Sequence, residues 1–130
     1  MLDLYRILMH TEENDMNNLP RADLSPRIVN GVLKWYEGDT FSLQIDLELE
    51  DQDGEPITIQ PKDTVKVVFK NKSLRTVKEF MFTGINVNII HLNFDNECTA
   101  LFEKGNYTYD IIYITEEIKT IAATNKVVIE

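Results

Sequence analysis

Phe41-Ser42-Leu43-Gln44-Ile45-Asp46-Leu47-Glu48-Leu49-Glu50 is the stretch on which the reading of this chain turns. Apolar side chains take every odd position, and polar or acidic ones take every even position. A repeat of two sends the first set to one face of a pleated strand and the second to the other, whereas a helix would scatter both sets around its circumference. The stretch therefore predicts a strand with one face in a core and one in water. Asp51-Gln52-Asp53-Gly54-Glu55-Pro56 ends it, because Asp bonds to its own backbone, Gly supplies positive φ and Pro lacks the ladder donor.

Downstream, the same pattern recurs in short pieces separated by turn residues. Ile57–Ile59 is a brief strand, and Pro61-Lys62-Asp63 is the next turn. Val65, Val67 and Phe69 alternate with Lys66, Val68 and Lys70, and Thr76 to Thr83 places Phe80 and Phe82 on one face. Between Ile85 and Phe94 the apolar positions change parity, from Ile85, Val87 and Ile89 to Ile90, Leu92 and Phe94, which predicts a bulge or a crossing between sheets. Asp95 is placed to cap a short helical turn whose apolar side is Leu101 and Phe102, and Gly105 ends it. Tyr107–Thr115 and Ile118–Ile129 then supply two late strands on either side of Glu116-Glu117. About seven strands with little helix predict an antiparallel β-sandwich, with an eight-stranded barrel as the alternative. Upstream, Leu2, Leu4, Tyr5, Ile7, Leu8 and Met9 form an apolar cluster, and Thr11–Pro26 is polar without a period. This divides the chain near Asn30-Gly31 into an arm, residues 1–29, and a sandwich, residues 30–130.

A chain of 130 residues is the size of one domain, and 43% hydrophobic with 27% charged residues is ordinary for a globular one. The net charge of −9, from 22 acids and 13 bases, repels phosphate and argues against general nucleic-acid binding. The longest apolar run is Ile111-Ile112-Tyr113-Ile114, too short for a membrane span. Asp3 and Arg6 interrupt the first apolar stretch, so no signal peptide is expected, and the single Cys98 fits synthesis in a reducing cytoplasm.

Searched for chemistry, the sequence offers little. Aligning Gly54 with the invariant glycine of a calcium loop puts Leu49 at the first ligand and Gln60 at the last, so the run reads as a hairpin turn. Cys98 has only His10 and His91 as companions, and His91 falls on the face opposite its apolar neighbours; neither a nucleophile nor a zinc site is expected. The five glycines form no phosphate-binding loop, and no serine sits in a nucleophile elbow. Asp46, Glu48 and Glu50 lie on a solvated strand face, where carboxyl groups are not tuned for acid catalysis. Phe69 and Phe80 fall on core faces and offer no stacking platform beside Lys66, Lys70, Lys72, Arg75 and Lys78. No catalytic residue, cofactor or metal is predicted. Charge is segregated, with eight acids and no base from Glu37 to Glu55, and six bases and one acid from Lys62 to Lys78. Neighbouring segments would pair across strands; separated ones would make a dipolar surface.

Glu103-Lys104-Gly105-Asn106-Tyr107-Thr108-Tyr109 resembles the tyrosine corner of immunoglobulin-like sandwiches, with Gly105 turning the chain and Tyr107 bonding back to backbone. Tyr109 stands where antibody domains carry a cysteine. With Glu37-Gly38-Asp39-Thr40-Phe41, Asp53-Gly54-Glu55-Pro56-Ile57, Asp63-Thr64-Val65-Lys66-Val67 and Lys126-Val127-Val128-Ile129 in this order, residues 31–130 resemble the immunoglobulin-like domains of tailed-bacteriophage structural proteins, notably the N-terminal domain of upper baseplate proteins. The match departs from the family at Glu116-Glu117, where an Asp-Gly turn is usual.

That resemblance implies a phage or prophage virion component in baseplate, tail or neck, which works by protein–protein assembly. The expected partners are other virion proteins and further copies of itself, with neither nucleic acid nor membrane, and the expected location is the virion. Leu2, Leu4, Ile7 and Leu8 are the expected docking segment, the alternative being that they cover this domain's own sheet. A second class of function is a carbohydrate-binding module for host attachment, with Trp35, Tyr36 and Tyr113 as the aromatic candidates and Trp35 the foremost interaction residue. A hydrolase would need an acidic pair of perturbed pKa in a cleft.

Overall fold

In the computed structural model, residues 2–11, 25–51, 53–116 and 118–130 are described, of which 2–11, 51, 118 and 122 by backbone alone. The elements run β1 (Leu2–Thr11), β2 (Arg27–Val29), β3 (Val32–Trp35), β4 (Phe41–Asp51), β5 (Pro56–Ile57), β6 (Thr64–Lys70), β7 (Thr76–Thr83), β8 (Ile89–Phe94), α1 (Asn96–Thr99), β9 (Gly105–Thr115) and β10 (Ile118–Ile129). They form two sheets, so the fold is an all-β sandwich with one short helix and not a closed barrel. In the four-stranded sheet β4 pairs with β1 along one side and with β5 and β8 along the other. The six-stranded sheet has the order β2-β3-β10-β9-β6-β7, with β3 and β10 parallel and the other pairs antiparallel.

The alternation in β4 does what its period dictates. Leu43, Ile45, Leu47 and Leu49 are buried, while Gln44, Asp46, Glu48 and Glu50 stay partly in water. Opposite them the six-stranded sheet contributes Leu33, Trp35, Val65, Val67, Phe69, Tyr109, Ile111, Tyr113, Val127 and Ile129. One end of this interior is aromatic: Trp35 lies 5.1–5.4 Å, centroid to centroid, from Phe41, Phe94 and Phe102. Rings at these separations add stabilisation of about 0.5–1.5 kcal/mol per pair beyond the area they bury.

Five expectations need correction or completion. Among the described residues there are ten strands, where about seven were expected. Residues 2–11 and 27–29, expected in an arm outside the sandwich, are strands of its two sheets. Asn30-Gly31, taken as a boundary, is the turn of the β2–β3 hairpin; φ of 52° and 79° at these residues matches the twist of the flanking strands. Trp35, expected at a surface, is fully buried, because the parallel pairing of β3 with β10 sets Leu33 and Trp35 beside Val127 and Ile129 on the core side. The parity change between Ile85 and Phe94 has its cause in topology: β7 belongs to one sheet and β8 to the other, and the chain crosses between them there. Asn88 secures that crossing by bonding both ways with the β5 region, accepting from Ile59 N–H at 2.8 Å and donating to the Ile57 carbonyl at 2.7 Å.

Candidate interaction surfaces

The outward positions of the six-stranded sheet follow from its register. One row across β7, β6, β9 and β10 reads Met81, Lys66, Ile112, Ile121. Met81 and Ile121 are about 60% exposed (61% and 60%), and Ile112 is buried between them. The next row is Glu79, Val68, Asp110, Thr124, and on the far side of the apolar row lie Ile114 and Lys119. Lys126, Thr108 and Lys70 continue the face toward the β6–β7 turn, and Val128 with Lys34 carries it onto β3. Five lysines (34, 66, 70, 119 and 126) thus face two acids. Lys70 is paired with Asp110 at 3.0 Å and Lys66 with Glu79 at 3.8 Å, while Lys34, Lys119 and Lys126 have no ion-pair partner among the described residues.

The outward face of the other sheet carries the opposite sign. Asp46, Glu48 and Glu50 project from β4, with Gln44 donating from Nε2 to Asp46 Oδ1 at 2.9 Å, and Ile89 (40% exposed) stands beside Asp46 on β8. The strand segments of the acidic and basic runs therefore do not lie side by side in one sheet. They end on opposite outer faces of the sandwich, because β4 and β6–β7 belong to different sheets.

A shallow cleft of about 410 Å³ opens at one end of the basic face, lined by Val32, Leu74, Tyr107, Lys126 and Val128 among others. Tyr107 forms its inner wall. Its hydroxyl donates to the Glu103 carbonyl at 2.9 Å and accepts from the Glu103 N–H at 2.9 Å, and its ring packs on Phe102 at 5.3 Å. Gly105 precedes it at φ 144°, a backbone conformation that favours glycine. Across the cleft mouth, Asn71 organises the β6–β7 turn by accepting from Ser73 and Arg75 N–H, and Leu74 projects into solvent, 73% exposed at φ 61°.

The expected docking residues lie along β1. Leu2 is opposite Asp51, Ile7 opposite Leu47 and Leu8 opposite Asp46, while Leu4 falls within the register shift between Asp3 and Arg6. β1 extends its own sheet edge to edge by pairing with β4. Of the aromatic candidates for glycan stacking, Trp35 and Tyr113 are buried, and Tyr36 is half-buried with the Arg27 guanidinium 5.0 Å from its ring centre.

Groups with chemical potential are engaged in structure. Asp63, 2% exposed, accepts from Tyr113 Oη at 2.6 Å, Thr115 Oγ1 at 2.8 Å and Gln60 N–H at 2.9 Å. Burial by itself raises a carboxyl pKa, but these donors and the charge of Lys62 outweigh it and hold Asp63 below the usual range. Burial, followed by the bond to Asp63, pushes Tyr113 above the usual phenol range. Cys98 is buried within α1, where Asp95 caps its N–H at 2.8 Å; burial raises the thiol pKa against the charge of Lys78, which favours the unreactive thiol form. His91 is exposed on β8. Asp51 ends β4 and Asp53–Glu55 lead into β5, and no cluster of three or more metal-ligating residues occurs among the described residues.

The networks around Asp63 and Asn88 were not singled out from sequence. Asp63 reads there as one more turn residue, and only the β6–β9 pairing shows that Tyr113 and Thr115 lie against it. No protein-family model, curated protein or solved structure matches this chain.

Proposed function

We propose that this chain is a non-enzymatic structural component of a tailed-bacteriophage or prophage virion, in baseplate, tail or neck, built on an immunoglobulin-like domain and acting through protein–protein assembly. The observation that carries the assembly reading is the row Met81–Lys66–Ile112–Ile121, which leaves two large apolar side chains in water on a lysine-rich sheet face, Ile121 on the interior strand β10 and Met81 on the edge strand β7. Large apolar side chains left in water on one face of a sheet are supported there when another molecule packs over them.

The immunoglobulin-like part of the reading is supported by connectivity. The run β10-β9-β6-β7 follows the G, F, C, C′ order of a variable-type sheet, and β4 pairs with β8 as strands B and E do. The Tyr107 bond to Glu103 sits at the start of β9 after the short helix α1, where a tyrosine corner belongs in that scheme. The phage assignment rests on the ordered motifs of residues 31–130. Light scattering of the chain alone and mixed with cognate virion proteins tests it: a mixed species of defined mass is expected, and masses that never depart from those of the separate components would refute it.

A further inference from the structure

We propose that the basic outer face of the six-stranded sheet docks on the acidic outer face of the four-stranded sheet of a second copy of this chain. The contact rests on the assembly reading above and names its partner. Charge decides between the ways two copies can meet. Basic face on basic face brings five lysines against five lysines, and acidic face on acidic face brings Asp46, Glu48 and Glu50 against their own copies; like charges facing one another oppose both. Only the unlike pairing sets Lys34, Lys119 and Lys126, which have no ion-pair partner among the described residues, against carboxylates.

The apolar residues fit the same pairing. Met81 and Ile121 are exposed on the basic face, on β7 and β10, and Ile89 supplies an exposed apolar contact beside Asp46 on the acidic one. Exposed apolar side chains set among complementary charges give such a contact both burial and register. The net charge of −9 on each copy works against approach, but this repulsion is screened beyond about 8 Å at physiological ionic strength, whereas the facing side chains meet at shorter range. Because the two faces differ, the contact is heterologous. The docked pair still presents one free basic and one free acidic face, so the same contact can build a ring or a file.

Sedimentation of the full chain tests the proposal, with Lys34→Glu/Lys126→Glu altering the basic face and Glu48→Lys/Glu50→Lys the acidic one, and thermal melts confirming that each variant folds. The wild type is expected to self-associate at concentrations up to roughly 1 mM. Each double variant should weaken this by at least about tenfold, and an equimolar mixture of the two variants should associate again because each retains the face the other lacks. A wild type that stays monomeric, or association that survives in both variants, overturns the proposal. A monomeric wild type that still binds cognate virion proteins overturns only this contact and leaves the assembly reading intact; no self-association and no such binding would defeat both.

Discussion

The Tyr113 hydroxyl donates to Asp63 Oδ2 across 2.6 Å in the buried interior, joining the C-terminal end of β9 to the turn that leads into β6. With Thr115 and the Gln60 N–H on the same carboxylate, the bond fixes where the chain re-enters the six-stranded sheet. Tyr113→Phe keeps the ring and removes one donor from a buried charge. The expected loss is about 1–3 kcal/mol, read as a lower urea midpoint with an unchanged slope. An unchanged midpoint would show that the remaining two donors suffice.

The same carboxylate predicts an acid limb. Asp63 is held below its ordinary pKa in the folded chain, so as pH falls the unfolded chain takes up this proton first, near pH 4, and is favoured by it. The stabilisation is present in full above the unfolded pKa and disappears as pH falls through the folded value. Urea midpoints measured from pH 7 to pH 2 should fall more steeply below about pH 4 in wild type than in Asp63→Asn, which is weaker at neutral pH but has no such proton to bind. Parallel curves would contradict this assignment.

At the start of β9, Tyr107→Phe leaves the Phe102 contact and removes both bonds to the Glu103 backbone. A loss of about 0.5–1.5 kcal/mol is expected, because the site is near solvent and water can replace part of what the hydroxyl supplies. Chemical denaturation checks it.

Leu74 points the other way. It combines a left-handed φ of 61° with 73% exposure, so the side chain contributes little burial and the backbone is strained. Leu74→Gly should therefore raise stability by up to about 1 kcal/mol, the greater unfolded-state freedom of glycine offsetting part of the gain. A higher melting temperature is the expected sign.

Legibility from sequence followed how local the causes were. β4 was plain because its repeat of two is unbroken, and α1 because Asp95 and Phe102 mark its cap and its buried side within a few residues. β1 was hidden by its register shift between Asp3 and Arg6, which breaks the alternation of Leu2, Leu4, Ile7 and Leu8. β2 and β3 are three and four residues long, too short to show a period. The depth of Trp35 depends on a parallel pairing with residues more than 90 positions away, which no local pattern reveals. The charge runs were visible, but their placement on opposite faces is a property of the strand order. Of the corner residues, Gly105 and Tyr107 stand within a four-residue contact and could be read; the Asp63–Tyr113 pair spans fifty positions and could not.

The account is tested most directly by quantitative mass spectrometry of purified phage particles from the bacterial host that carries this gene. It predicts peptides of this chain in the particle at a fixed copy number relative to the other structural proteins, undiminished by high-salt washing of intact particles. Particles that lack these peptides while the infected or induced cells contain them would contradict it.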